Sequence, residues 1–287
     1  MPKTQGPTAI QGEEGSNSAA AARSLLGPDV SLLYCETFQD AFDALESGTA
    51  ARAVLPIENT TAGIVQPVWD RLLGIHAGGA LAAKAEARVR IGFVAAALPG
   101  ARDRVRGILA HPVAAAQCRK FLAASGWSVI SCHDTAGAAR LVRESNDPST
   151  AALCPLTAAR AYGLEILEPE CGDSSRTWTR FLLLEPGVPS PSASDDRAIL
   201  IFSLKDAPGS LVQALAAFAK QNLNLLAIHS RALPGLPGQY RFFLELQVGA
   251  ADPRCVEALE EIRQSGTQMS LLGSYRTPAW PELLPGS

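Results

Sequence analysis

Apolar and polar positions over the first two-thirds of the chain repeat one unit: a short apolar strand, a polar turn and an alanine-rich segment with helical spacing. Start and stop signals flank the helical segments. We expect Ser18 to cap the first helix, Thr37 and Asp40 to form a capping box, Pro112 to open a later helix and Gly163 to close another. Strands that alternate with helices predict an α/β fold with a largely parallel sheet.

The pattern changes after a segment rich in Pro, Ser and Gly, "EPGVPSPSASDDRA", and we interpret residues 188–197 within it as a linker. The residues that follow predict strand, helix, strand, strand, helix and strand. This βαββαβ order is typical of a ferredoxin-like sheet with two helices on one face. The other face and the edges of such a sheet stay open, so we expect self-association there, as a dimer or a tetramer.

Composition limits the class of protein. Of 287 residues, 47% are hydrophobic and 18% are charged, as in globular proteins, and the net charge of −3 gives no field that favours nucleic acid or an anionic membrane. The six cysteines are scattered without a C-x-x-C pair, which argues against a zinc site and fits a reducing compartment. With no export signal and no apolar run of bilayer length, we expect a cytoplasmic protein with no nucleic-acid or membrane partner.

Small hydroxyl residues stand in the turns of the predicted fold: Ser18, Thr60, Thr61 and Thr135. Helix N-termini present free N–H groups and about half a positive charge, so several of them facing one cleft suit a ligand with carboxylates. Each hydroxyl taken alone is more often an ordinary helix cap. The pattern predicts an anion-binding cleft and leaves open which hydroxyls line it.

A threonine and an arginine stand at the start of a very apolar strand, "TRFLLLEP", where Thr179 and Arg180 precede Phe181. Neighbouring residues of a strand point to opposite faces. We expect Thr179 to donate a proton there. Arg180 is expected either to help bind an anion or to pair with an acid such as Asp173, and Phe181 to pack in the core.

These motifs resemble those of the prephenate dehydratases. The chain has "AIQGEEGSNSAAA", "LPIENTTAGIV", "AHPVAAAQC", "DTAGAA", "ARAYGLEIL" and "TRFLLLEP" in the order and spacing of that family. Its last third is similar to the regulatory ACT domain that these enzymes carry, with "DAPGSLVQALAAFA", "LNLLAIHSR" and "LGSY". The resemblance covers nearly the whole chain.

The resemblance implies an α/β catalytic region with two lobes like those of periplasmic binding proteins, and an active site in the cleft between them. The catalytic domain would span residues 8–187, with lobe 1 at about 8–83 and 165–187 and lobe 2 at about 84–164. A C-terminal ferredoxin-like ACT domain would span residues 198–280.

The family converts prephenate to phenylpyruvate with loss of carbon dioxide and water, in the biosynthesis of L-phenylalanine. Because the product ring is aromatic, the enzyme needs only to position the substrate and protonate the leaving oxygen, so no metal or other cofactor is implied. Thr179 matches the family's essential threonine. We therefore expect its hydroxyl to donate to the departing oxygen in a site from which water is excluded.

Other positions of the family motifs are expected to bind the substrate. They are Ser18, Glu58, Asn59, Thr60, Thr61, Thr135, Ala136 and Arg180. For Glu58 and Asn59 the alternative is a role in holding their loop through side-chain bonds to the backbone. For Arg180 a structural role is the alternative.

The chain departs from the family near the expected cleft, and each departure lacks a polar group that the family carries. The positions are Asn17, Ala19, Phe93, Val113 and Thr177. One explanation is a divergent dehydratase, acting on prephenate or on its amino-acid analogue arogenate. Others are a prephenate decarboxylase that leaves the ring non-aromatic, or an amino-acid sensor without catalysis. The presence of Thr179 favours dehydration.

In the family, phenylalanine binds between the ACT domains of two subunits. The matching residues here are Gly209, Ser210, Leu211, Val212, Asn224, Leu225, His229, Ser230 and Arg231. His229 stands where the family has a glutamate, so it cannot pair with an amine as a carboxylate does. We expect L-phenylalanine as an effector, and the alternative is a domain that serves only to join subunits.

Overall fold

The computed structural model describes residues 6–75, 81–174, 176–204, 207–233 and 239–279. This part of the chain divides into two units. The first unit holds residues 6–65 and 88–181, and the second holds residues 66–87 and 182–279.

One sheet of the first unit is built around a central strand with parallel neighbours on both sides. The elements of this region are β1 (Thr8–Gln11), α1 (Asn17–Leu26), β2 (Leu32–Cys35), α2 (Phe38–Glu46), β3 (Arg52–Asn59) and β4 (Gly63–Ile64). β1 lies between β2 and β3 and runs parallel to both, while β4 pairs antiparallel with the end of β3. The carboxyl ends of β1 and β3 therefore lie at one edge of the sheet, where ligands of α/β folds bind.

The second sheet of this unit combines parallel and antiparallel pairs. The elements of this region are β6 (Val94–Ala97), β7 (Gly107–Ala110), α4 (Pro112–Gln117), α5 (Arg119–Ser125), β8 (Ser128–Ser131), α6 (Gly137–Ser145), β9 (Thr150–Cys154), α7 (Leu156–Ala161) and β10 (Glu165–Glu168). β7 runs parallel to β8 and β9, whereas β6 runs antiparallel to β9 and β10. The prediction of a largely parallel sheet is wrong on the β6 side, because periodicity locates strands but does not give their direction.

The limits expected for the second lobe also shift. β10 pairs with β6, so the chain stays in the second sheet beyond residue 164, and that sheet begins at Val94 rather than near residue 84. The chain returns to the first sheet with β11 (Trp178–Pro186), whose first residues lie beside β3. Both β11 and the earlier strand β5 (Leu81–Arg90) continue from one unit into the other.

Alanine side chains hold helices close to the strands of the second sheet. Fully buried examples are Ala95, Ala96, Ala138, Ala139, Ala151, Ala152, Ala158 and Ala159. A side chain this small lets α6 and α7 approach the sheet closely, and a larger residue would overpack the interior at a cost of about 1–3 kcal/mol.

Helix starts confirm two capping predictions and correct a third. Thr37 and Asp40 form the predicted box at α2, and Pro112 lies in the first turn of α4. Ser18 is wrong as the cap of α1, because the helix already begins at Asn17 and the Ser16 hydroxyl accepts the N–H of the third helical residue.

The second unit has the predicted βαββαβ order, preceded along the chain by a separate helix. Its elements are α3 (Gln66–Ile75), β12 (Arg197–Ser203), α8 (Ser210–Lys220), β13 (Leu225–Ala232), β14 (Tyr240–Leu246), α9 (Pro253–Gln264) and β15 (Gln268–Tyr275). β12 lies between β14 and β15, and β13 pairs with the outer side of β14, all antiparallel. β5 adds a parallel contact at β15, where Gly273 lies opposite Ala83.

The two faces of this sheet are covered differently. α8 and α9 enclose a core with Phe218, Leu244 and Ile262 on one face. On the other face Trp69 of α3 lies against Phe243, with ring centroids 3.9 Å apart. The expectation of a fully open second face is therefore wrong in part, since α3 occupies it there. Over the described ranges, no helix combines the length and apolar character that crossing a bilayer requires.

Candidate active site

The end of β3 and the start of β11 bring two predicted residues into direct contact. Asn59 Nδ2 donates a hydrogen bond of 2.8 Å to the hydroxyl oxygen of Thr179. Asn59 is the last residue of β3 and Thr179 the second of β11, so the contact spans adjacent strands. The pairing of those strands, rather than a flexible loop, therefore sets the position of the threonine hydroxyl.

The orientation of the Asn59 amide is determined by the turn that follows β3. Its Oδ1 accepts the backbone N–H groups of Thr61 and Ala62, each at 2.9 Å. Only the carbonyl oxygen of the amide can accept, so the NH₂ group must face the other way, toward Thr179. The Asn59 side chain thus holds its loop and orients the hydroxyl at the same time.

This arrangement leaves the Thr179 hydroxyl as a donor. One lone pair accepts from Asn59, and within the described part of the chain no hydrogen bond uses the hydroxyl's own proton. Thr179 is only 7% exposed, so water has little access to it. A hydroxyl held in this way can give its proton to a ligand oxygen, and the bond is stronger there than in water.

A second pair of side chains meets just beyond the end of β3 and just before the start of β11. The hydroxyls of Thr61 and Thr177 lie 3.1 Å apart. Each of these threonines lies two residues along the chain from Asn59 or Thr179, so at most about 7 Å of backbone separates the two contacts. Thr177 departs from the family's asparagine but keeps a hydrogen bond to the loop after β3.

The opposite face of the same strands carries an ion pair. Arg180 Nη1 lies 2.8 Å from Glu58 Oε2. Asp173, the partner considered for Arg180, is not the acid it meets, because both Asp173 oxygens accept backbone N–H groups at the start of α5. Arg180 and Glu58 therefore join β3 to β11 on the side away from Thr179.

The hydroxyl of Thr60 is used by the backbone. It accepts the N–H of Trp178 at 3.0 Å, and the Thr60 N–H donates to the Trp178 carbonyl at 2.9 Å. These bonds extend the pairing between β3 and β11 beyond the end of the strand. The role of Thr60 as a substrate ligand stays a prediction, and its observed contacts are structural.

A cavity of about 150 Å³ opens beside the Thr61–Thr177 pair. Its lining residues are Thr61, Ile91, Phe93, Ala116, Gln117, Arg119, Gly172, Asp173, Ser174 and Thr177. Sequence reasoning missed Gln117 and Arg119, since polar residues next to an amphipathic helix predict a solvent-facing side. Phe93, a departure from the family, makes one wall apolar.

His111 caps α4 and is not placed as a base. Its Nδ1 accepts the N–H of Val113 at 3.2 Å, which is the capping role that a histidine before Pro112 suggests. Val113 itself is about half exposed, so the polar residue that the family has there is not replaced by a core contact.

The turn after β1 meets the second sheet's helices. Both Glu13 carboxylate oxygens accept from the Arg140 guanidinium of α6, at 2.7 and 3.0 Å, and this bond raises the pKa of Arg140 above its ordinary value. Gly15 lies against the backbone of α7 so closely that a Cβ would lie 2.4 Å from the Ala158 Cα, and its carbonyl accepts from Thr157. These contacts hold the two sheets of the first unit together beside the start of α1.

The remaining predicted ligands lie next to this junction. Ser18 is buried in the first turn of α1. Asp134 accepts the N–H of Gly137, the first residue of α6, at 2.6 Å, and Ala136 is buried at the N-cap position. Within the described residues, no hydrogen bond joins Ser18, Thr135 or Ala136 to Thr179, and the role of these three residues as ligands stays a prediction.

Cysteine chemistry does not contribute to the site. All six thiols are free, and burial raises the pKa of each, for Cys118, Cys154 and Cys171 to about 12. A thiol with so high a pKa is a poor nucleophile at neutral pH. Within the described residues, no group of three or more His, Cys, Asp or Glu side chains suits a metal ion.

The residues predicted to bind phenylalanine fall in two places of the second unit. Gly209 has a left-handed φ of 87° just before α8, followed by Ser210, Leu211 and the exposed Val212. Ser210 also lines a large cavity of about 970 Å³ at the start of α8, whose lining includes none of the predicted residues of β13.

Two of the predicted residues on β13, Arg231 and His229, contact α3. Arg231 pairs with Asp70 at 2.8 Å and also donates to Gln66. The His229 ring lies beside the Trp69–Phe243 pair, with ring centroids 6.3 Å from Trp69 and 6.0 Å from Phe243. Asn224 Nδ2 donates a hydrogen bond of 2.8 Å to Gln247 Oε1. Leu225 begins β13 and Ser230 lies within it.

The family model and the similar sequences point to one family. The family model described as "Prephenate dehydratase" matches residues 8–187. An arogenate dehydratase 2 from Petunia hybrida is 35% identical over 93% of this chain and 71% of its own length, and a prephenate dehydratase from Mycolicibacterium vanbaalenii is 33% identical over 94% and 90%.

Two solved structures are similar to the chain over nearly its whole length. A prephenate dehydratase from Arthrobacter aurescens, in complex with L-Phe, has a TM-score of 0.83 and 31% identity over 94% of this chain and 89% of its own. A structure described as "GqqA- a novel type of quorum quenching acylases" has a TM-score of 0.84 and 30% identity, covering 95% and 98%.

Proposed function

The chain belongs to the prephenate dehydratase family, a family of lyases, and on this premise we propose that it converts prephenate to phenylpyruvate, carbon dioxide and water. The product is the last keto acid before L-phenylalanine. The bond to the ring carboxylate breaks, its electron pair enters the ring, and hydroxide leaves from the opposite carbon. Hydroxide takes one proton and departs as water.

Thr179 supplies the proton to the departing oxygen, and solvent restores it afterwards. The single observation that carries this assignment is the bond from Asn59, which occupies the acceptor side of the hydroxyl. The hydrogen bond to the leaving oxygen strengthens as negative charge develops there, so it lowers the barrier more than it stabilises bound substrate. General acid catalysis of this kind contributes about 10²–10⁴-fold.

The same contact argues against Thr179 as a nucleophile for acyl transfer. A nucleophilic hydroxyl needs a base that accepts its proton. Here the neighbouring group is an amide donor, so the hydroxyl gives a proton and does not lose one to the protein. The likeness to the acylase is therefore a likeness of fold.

The other candidate residues divide into two roles. Asn59 orients the hydroxyl, while Glu58, Arg180 and Thr60 join β3 to β11. Thr61, Ser18, Thr135 and Ala136 are proposed to line the substrate cleft from their positions at strand and helix ends. Their hydroxyls and helix N-termini suit the carboxylates of prephenate.

The domain assignment follows the same family. Residues 8–187 form the catalytic domain, 188–197 the linker and 198–280 an ACT domain, of which Trp280 lies outside the described residues. L-phenylalanine acts as an effector at a site completed by a second subunit. The relative from Arthrobacter aurescens, solved with L-Phe, and the separation of the α8 and β13 groups in one chain support this proposal. The six free thiols support a cytoplasmic location.

The test is a product assay with purified protein on prephenate and on arogenate, with and without L-phenylalanine. We expect prephenate to give phenylpyruvate, detected by its absorbance in alkali. Consumption of prephenate without an aromatic product would indicate the non-aromatising decarboxylase. Absence of product, with L-phenylalanine still raising the melting temperature, would indicate a sensor, and turnover of arogenate alone would reassign the substrate.

A further inference from the structure

The cavity beside Thr61 and Thr177 is lined by a positively charged side chain that pairs with no carboxylate of the described residues. Arg119 lines it, and its guanidinium makes no ion pair or hydrogen bond within the described part of the chain. By contrast, Arg140 and Arg180 are both bound to carboxylates. A guanidinium that lines a cavity without a protein carboxylate can bind one from a ligand in a bidentate manner.

Asp173 lines the same cavity, but its carboxylate does not pair with the Arg119 guanidinium. Its oxygens accept the backbone N–H groups of Arg119 and Lys120 at 3.2 and 3.0 Å. These bonds hold the carboxylate at the start of α5 and leave the Arg119 side chain available. The Gln117 amide and the hydroxyl pair add neutral donors and acceptors to the walls.

The cavity lies within reach of a substrate whose hydroxyl is at Thr179. Thr61 and Thr177 lie two residues along the chain from Asn59 and Thr179, so at most about 7 Å of backbone separates the two pairs. In prephenate the leaving hydroxyl and the carbon that carries both acid groups stand at para positions of a six-membered ring, and the side-chain carboxylate is separated from that carbon by two further carbons. With the hydroxyl at Thr179, the acid end of the substrate can therefore reach the cavity.

Two carboxylates are attached there, and only one suits Arg119. The carboxylate on the ring leaves as neutral carbon dioxide, so a cation bound to it would stabilise the ground state and slow the reaction. The carboxylate of the three-carbon side chain keeps its charge throughout, so binding it holds the substrate without that cost.

We infer that Arg119 binds the side-chain carboxylate of the substrate, the one that is retained in the product. The inference rests on the proposed function, since it uses the position of the ring hydroxyl at Thr179. The same contact holds phenylpyruvate after the reaction and would equally hold the side-chain carboxylate of arogenate.

The experiment compares Arg119→Gln, Arg119→Lys and the control Lys120→Gln with the wild-type enzyme. Lys120 is the next residue, its N–H also bonds Asp173, and it is not among the residues of the cavity. Loss of a charge-assisted pair predicts that Arg119→Gln raises KM for prephenate by about 10–100-fold and leaves kcat within about fivefold. Arg119→Lys should restore part of the loss, and Lys120→Gln should match the wild type.

Binding of phenylpyruvate, followed by inhibition and by thermal shift, separates this inference from the proposed reaction. Its dissociation constant should rise by the same factor in Arg119→Gln, even if the wild-type protein proves inactive on prephenate. Unchanged KM and unchanged phenylpyruvate binding would overturn the assignment. So would a rise in kcat together with the rise in KM, which would place Arg119 at the leaving carboxylate, or a wild-type protein that binds no phenylpyruvate.

Discussion

The β3–β11 region and the β13–α3 region show two different ways in which motif residues are held. Asn59 and Thr179 come from two motifs, and strand pairing places them opposite each other. Arg231 belongs to a single motif on β13, yet its partner Asp70 lies 161 positions earlier, on a helix outside the βαββαβ sequence. Both partners of the first contact therefore lie in motifs that the sequence identifies, whereas the partner of Arg231 lies in none.

The first region leaves a polar group available for a ligand, whereas the polar groups of the second pair within the protein. On the Thr179 face of β3 and β11 a hydroxyl keeps a proton to give away, whereas on the other face Arg180 and Glu58 neutralise each other. On β13, residues expected to bind a small molecule are engaged by α3. Four substitutions test whether this division is correct.

Thr179→Val should have the largest effect, because it removes the hydroxyl while nearly keeping the side-chain volume. We expect kcat for prephenate to fall about 10³-fold with little change in KM. Thr179→Ser should retain much of the activity. Steady-state kinetics with melting curves would check this, and a Thr179→Val enzyme with full kcat would remove the hydroxyl from the mechanism.

Asn59→Asp should have the second-largest effect on kcat. The carboxylate can still accept the N–H groups of Thr61 and Ala62, so the turn is retained. It cannot donate to Thr179, and it draws the hydroxyl proton toward itself. We expect kcat to fall about 10²-fold. Thr61→Val, which loses only the second hydroxyl contact, serves as the comparison, and an equal loss of kcat in both variants would contradict the special role of Asn59.

Glu58→Gln should affect stability more than catalysis. Arg180 is 12% exposed and Glu58 is 42% exposed, so their pair lies between surface and buried cases. We expect a loss of about 1–3 kcal/mol in unfolding free energy and less than a tenfold change in kcat. Denaturant unfolding and kinetics on one preparation would measure both, and a kcat loss as large as that of Asn59→Asp would place this pair in the active site.

Arg231→Gln tests the second region. If Arg231 contributes to the effector site, the L-phenylalanine concentration for half-maximal inhibition should rise about tenfold, while uninhibited kcat stays the same. Arg263→Gln, which loses a surface contact with Glu260 on α9, is the matched control. Equal inhibition curves for both variants and the wild type would limit Arg231 to its contacts with α3.

The sequence indicated most of the architecture because periodicity and capping are local. The capping box at Thr37 and the βαββαβ order are examples. Strand direction at β6 and β10, and the packing of α3 on β14, depend on contacts between distant segments, which local patterns do not report.

The candidate site, too, could be predicted from the sequence only in part. The motifs identified Thr179 and Asn59 as candidate site residues, but they did not show that Asn59 donates a hydrogen bond to Thr179. Ser18 was misplaced as a cap because Ser16 stood two residues before it with the same chemistry. Arg119 could not be found, since a charged residue beside a helix usually faces water and only the fold shows the cavity that it lines.

A double-mutant cycle on Asn59 and Thr179 tests the central claim most directly. The enzyme is measured as Asn59→Asp, Thr179→Val and the combination, with kcat for prephenate as the readout. If Asn59 acts by directing the Thr179 hydroxyl, its substitution has nothing further to remove once that hydroxyl is gone, and the double variant should match Thr179→Val within about threefold. Losses that multiply, with the double variant slower by the product of the two single effects, would contradict the account.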